Sequence, residues 1–75
     1  MVEQAESFLK KILNIKNLRV RLHSNCLARI ELPKDELKNS IPLLIDAKIT
    51  EYFKNLGFKY ITIDLEGYKT GSLNI

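Results

Sequence analysis

This sequence lacks most of the features that place a protein quickly. It has one cysteine, Cys26, which excludes an internal disulfide and a cysteine-built metal site. No window approaches the ~18 consecutive apolar residues that a membrane-spanning helix needs. With two prolines and three glycines there is no linker or low-complexity stretch, and no segment repeats. The opening residues, Met1-Val2-Glu3-Gln4-Ala5-Glu6, carry acid ahead of any apolar run and do not read as a signal peptide. A cytoplasmic protein is the expectation. Gly67 and Gly71 do not make a phosphate loop, because no Gly-Lys-Ser/Thr ending and no helix follow them. Cys26 has no base predicted beside it except His23, so no nucleophilic triad can be argued. A lone histidine lacks a second metal ligand. No metal and no cofactor are expected.

What is present is the profile of one small folded domain spanning residues 1–75, with 45% hydrophobic and 28% charged residues. A chain this short buries only about 60–65% of the surface its unfolded form exposes. Its core is therefore thin, which makes pairing with another chain physically welcome. The net charge of +3 permits an anionic partner without demanding one. Nine of the twelve basic residues are lysines spread along the chain, which reads as solubility. All three arginines fall between residues 19 and 29.

Ala5, Phe8, Leu9, Ile12 and Leu13 recur at helical spacing and predict a helix over 3–14, with Glu3 and Glu6 near its start and Lys10 and Lys11 near its end. "LRVRLH" at 18–23 and "LARIEL" at 27–32 alternate strictly and predict an antiparallel hairpin turning at Ser24-Asn25. After Pro33, a short helical turn is expected near 34–39. A longer helix is expected near 41–56, capped by Ser40 and ended by Gly57. Ile45, Ile49, Tyr52, Phe53 and Leu56 would form its buried stripe. A third strand is expected over 58–65, pairing with the first strand in either direction. The fold class is α+β: a two-layer sandwich of helix, β-hairpin, helices and strand, with a three-stranded sheet and its helices on one face.

If the apolar strand faces lie on the helices, the other sheet face displays Arg19, Arg21, His23, Arg29, Glu31, Tyr60, Thr62 and Asp64. Where this sequence needs only positive charge it uses lysine; on this face it uses arginine. Arginine offers a planar fork that grips carboxylate or phosphate through two hydrogen bonds. The plainer reading is a solvated face tied by cross-strand Arg–Glu pairs worth ~0.2–1 kcal/mol each. Asp64 and Glu66, two apart, share a face only if the strand continues that far.

Two stretches, "LRVRLHSNCLARIEL" and "LGFKYITIDLEGYKTGSLN", resemble the C-terminal region of the ATP-dependent sacrificial sulfur transferases. These are PP-loop ATP pyrophosphatase superfamily enzymes of nickel-pincer cofactor synthesis. That family carries V-R-x-H/Y-H-G, then A-R-I-E-V, and ends in G-F-x-Y-V-T-L-D-L-x-G-Y-R-S-G-S-M-N. Val20, Arg21, His23 and Ala28 to Glu31 match the first part. Gly57, Phe58, Tyr60, Thr62, Asp64, Leu65, Gly67, Tyr68, Gly71, Ser72 and Asn74 match the second. The hairpin turn departs, with Ser24-Asn25-Cys26 where the family has a Gly-Asp-like turn. Lys69 and Thr70 stand for the family's arginine and serine, and lysine keeps charge but loses bidentate geometry. The family's ATP-binding S-G-G-x-D-S loop does not occur in these residues, and Cys26 does not match the sacrificial cysteine.

The resemblance implies a detached C-terminal substrate- and phosphate-binding and oligomerisation domain that forms a homo-oligomer, is not catalytic alone and works with a separate PP-loop ATP-binding subunit. It implies phosphate-binding roles for Arg19 and Arg21, with Tyr68, Lys69 and Ser72 in a loop near the same polar face. Together with His23, Arg29, Glu31 and Asp64 these are the candidate site residues. Two alternatives stand beside this reading. One is a stand-alone module that binds a phosphorylated metabolite or a protein. The other is a small RNA- or DNA-binding module, for which no GxxG loop and no aromatic pair on adjacent strands is present.

Overall fold

The structure is a computed structural model that describes residues 1–68. Its elements are α1 (Val2–Leu13), β1 (Arg19–His23), β2 (Leu27–Glu31), α2 (Leu37–Leu44), α3 (Ala47–Leu56) and β3 (Tyr60–Ile63). The α+β architecture expected from the sequence is the one found. Helix α1 is capped at its C-terminus by Asn14, which takes the left-handed conformation with φ 56°; asparagine tolerates this better than most residues. Gly57 closes α3 with φ 114°, a backbone position that favours glycine.

The hairpin register sets Arg19 opposite Glu31, Val20 opposite Ile30 and Arg21 opposite Arg29. The turn between the strands is three residues, Ser24–Cys26, rather than two. Both Asn25 and Cys26 have positive φ there.

Two expectations are corrected. The third strand does not pair with the first: the sheet order is β1-β2-β3, and β3 runs parallel to β2. A parallel neighbour requires a crossover of a dozen or more residues, and the two helices between β2 and β3 supply it. The central strand is therefore the one with the most buried pattern, holding Ala28, Ile30 and Glu31.

The second correction concerns the helix expected over 41–56, which is two helices. Asp46 breaks it, because its carboxylate accepts the Lys48 N–H at 2.8 Å and starts α3 afresh. Ser40 is not a cap; it lies buried within α2. The break also turns Ile45 out of the expected stripe, leaving it 76% exposed, whereas Ile49 and Phe53 stay buried.

The core lies between the sheet and the helices. Leu9 from α1, Val20 from β1, Ile30 from β2 and Phe53 from α3 meet there, all fully or nearly fully buried. Burying a side chain of this kind stabilises the fold by about 1.5–3 kcal/mol. Phe8 and Tyr52 stack with centroids 3.8 Å apart where α1 meets α3. With one sheet face so covered, the opposite face is left for polar residues.

Candidate functional site: an arginine and carboxylate face

Strand alternation places Arg19 and Arg21 of β1, Arg29 and Glu31 of β2 and Thr62 of β3 on the face away from the helices. Arg21 and Arg29 stand directly opposite one another, an arrangement that destabilises a sheet unless a counter-charge lies between. Glu31 is that counter-charge. Its Oε1 accepts the Arg21 Nε–H at 3.1 Å and its Oε2 accepts an Arg29 Nη2–H at 2.6 Å. Its carboxylate is 9% exposed, while the two arginines are 48% and 39% exposed. The carboxylate is therefore sunk in the sheet and the guanidinium groups lie above it.

Asp64, just past β3, extends the cluster. Its Oδ2 lies 3.8 Å from the Arg29 Nε, within ion-pair range but beyond hydrogen-bond length. That Nε is buried and has no hydrogen-bond partner among the described residues. Asp64 is itself fixed by the turn that follows. Its Oδ1 accepts the Glu66 N–H at 2.9 Å, and its carbonyl accepts the Gly67 N–H at 3.1 Å. The Thr62 hydroxyl is spent on the backbone, donating to the Ala28 carbonyl at 2.7 Å.

Gly67 explains how the loop after β3 reaches this face. It is buried, with φ 83°. A side-chain carbon there would meet the Leu32 carbonyl at 2.7 Å and the Lys34 Cα at 3.1 Å. The chain thus packs back against the end of β2, where Tyr68 N–H donates to the Leu32 carbonyl at 2.5 Å. Tyr68 then lies under Arg19, whose guanidinium carbon is 5.8 Å from the ring centroid, a cation–π distance.

Of the candidate residues, Arg21, Arg29, Glu31 and Asp64 form one connected cluster, and Arg19 and Tyr68 flank it at one end. His23 stands apart, exposed at the far end of β1 and opposite Leu27. Lys69 and Ser72 lie outside the described residues. Sequence reasoning missed Glu6, treated there only as a helix-dipole charge. Its carboxylate accepts the Val20 N–H at 2.9 Å and ties α1 to the outer edge of β1. No local pattern marks an acid for that role.

Three arginines against two carboxylates leave one positive charge in excess. Each guanidinium has five N–H donors, and Glu31 occupies one on Arg21 and one on Arg29. Among the described residues, no group of three or more His, Cys, Asp or Glu side chains is placed to hold a metal ion. No helix among them is long and apolar enough to cross a membrane.

The chain is thus a small α+β fold with an arginine- and carboxylate-lined sheet face. No family model matches it. It is 41% identical, over 97% of its length, to the uncharacterized protein slr1717 of Synechocystis. It is 37% identical, again over 97% of its length, to pyridinium-3,5-bisthiocarboxylic acid mononucleotide synthase of Lactiplantibacillus plantarum. It spans 26% and 25% of those two proteins, about a quarter of each. The chain is related to a region of that synthase.

Proposed function

We propose that this chain is the phosphate-gripping part of a PP-loop sulfur transferase-like system. In this reading it is cytoplasmic, is not catalytic by itself, and acts with a separate subunit that carries the ATP-binding loop. The observation that carries the reading is the opposed pair Arg21 and Arg29, each tied to the sunken Glu31 by a single hydrogen bond. A purely structural Arg–Glu pair needs one arginine. Two arginines on one carboxylate keep a positive excess and present preset forks, which suits a phosphate better than a lysine cluster would. Arg19, held over Tyr68, adds a third positive charge at the same end.

The similarity to a mononucleotide synthase supports the same chemistry. A mononucleotide carries a phosphate monoester, and the arginine face would take that group while the pyridinium or adenine ring lies toward the partner subunit. Within this reading Lys69 and Ser72, which follow Gly67 in the sequence, are further phosphate ligands, and His23 is a peripheral one.

Calorimetric titration with AMP, nicotinate mononucleotide and adenosine tests the proposal. The two phosphorylated compounds are expected to bind and adenosine to give no heat, with binding weakened at least ten-fold in Arg21→Lys. Equal binding of adenosine and AMP would contradict it. Tight, steeply salt-dependent binding of oligonucleotides in place of mononucleotides would point to a nucleic-acid module instead.

A further inference from the structure

The two edges of the sheet are finished differently. At the β1 edge the outward Val20 N–H is taken by the Glu6 carboxylate, so α1 covers that edge. At β3 the Asp64 N–H points inward to the Ile30 carbonyl at 2.9 Å. Backbone groups alternate along a strand, so Ile61 and Ile63 turn theirs outward. No described element pairs with that side of β3. Beside it, on the helix side, lies an apolar cleft of about 130 Å³ lined in part by Ile41, Leu44, Ile45, Ile61 and Ile63. An open strand edge next to exposed apolar side chains is a site of association.

We propose that β3 is the seam of a homodimer in which a second copy adds its own β3 antiparallel, about a two-fold axis through Thr62. The observation that selects a second copy is that β3 is complementary to itself. A two-fold axis normal to the sheet keeps the two faces matched, so opposed residues must share a face. With Thr62 on the axis, Ile61 meets Ile63 of the second copy on the helix side, and Tyr60 meets Asp64 on the other. Ile61 and Ile63 are the residues whose backbone groups point outward, so each such pair exchanges both of its hydrogen bonds. The charges agree as well. Lys59 directly precedes the strand, Lys54 of α3 lines the same cleft as Lys59 and Tyr60, and Asp64 and Glu66 follow the strand's end. Antiparallel pairing brings the basic end of one copy to the acidic end of the other, whereas parallel pairing would oppose like charges. Exposed Ile45 then gains an apolar neighbour across the seam. This seam does not depend on the arginine face binding an anion.

Sedimentation equilibrium and amide hydrogen exchange on the 75-residue chain test it. The expected result is a concentration-dependent dimer in which protection of the Ile61 and Ile63 amides rises with protein concentration. Ile45→Lys alters an exposed side chain and should leave the monomer folded by circular dichroism while weakening dimerisation at least ten-fold. Lys59→Glu should weaken it several-fold, and Arg21→Lys should not change it. A monomer at millimolar concentration would overturn the proposal. So would a dimer that Ile45→Lys leaves intact and in which those two amides stay unprotected, since it would use another surface.

Discussion

Arg21 and Arg29 face each other across the hairpin, and the carboxylate of Glu31 accepts one hydrogen bond from each. Two like charges on neighbouring strands are tolerated because a sunken acid lies between them. Beside them the Arg29 Nε–H is buried with no hydrogen-bond partner among the described residues, and the Asp64 carboxylate lies 3.8 Å from it.

Removing the central charge separates its structural and binding roles. Glu31→Gln leaves the opposed arginines uncompensated and should lower stability by about 1 kcal/mol, near the upper limit for pairs whose arginines are partly exposed. Urea unfolding measures this. The same variant should bind inorganic phosphate more tightly, because three arginines then face one carboxylate. Unchanged stability together with weaker phosphate binding would be inconsistent with this account of Glu31.

Gly67 is the position where the loop after β3 depends on having no side chain. Gly67→Ala should cost at least ~1–2 kcal/mol from its left-handed backbone alone. The contact with the Leu32 carbonyl should also displace Tyr68 from beneath Arg19. Thermal unfolding and the Tyr68 ring shifts in an NMR spectrum report these two effects separately.

The break between α2 and α3 rests on Asp46. Asp46→Ala should cost about 1 kcal/mol, whereas Asp46→Asn, which keeps a side-chain acceptor for the Lys48 N–H, should cost much less. Denaturation midpoints of the two variants give the comparison.

Much of this was legible in the residues. The alternation of Arg19, Arg21, Arg29 and Glu31 against Val20, Ala28 and Ile30 fixed which side chains share the polar face. The helical spacing of Ala5 and Leu9 fixed what lies beneath. Three things were not legible. Strand order depends on how the crossover packs, because β1 and β2 of an isolated hairpin each offer one free backbone edge that could accept β3. Ile45 continues the helical stripe in sequence, so the cap at Asp46 competes with the pattern and wins. The pairing of Glu6 with the Val20 N–H joins residues far apart in the chain and leaves no local trace.

That last contact predicts its own effect. Glu6→Ala removes the acceptor for an edge-strand N–H and should cost about 1 kcal/mol. Hydrogen exchange should show the loss as faster exchange at the Val20 amide, with the β2–β3 amides unchanged.

The central claim is that the arginine face holds a phosphate. Its most direct test is an NMR titration of the labelled protein with AMP, inorganic phosphate and nicotinate mononucleotide, following backbone amides and arginine Nε–H signals. The account predicts saturable shifts on Arg19, Arg21 and Arg29 and on residues 66–72, with the Arg21 and Arg29 Nε–H signals moving most and the response lost in Arg21→Lys. Millimolar ligand that leaves the arginine signals unmoved, or shifts confined to surface lysines, would contradict it.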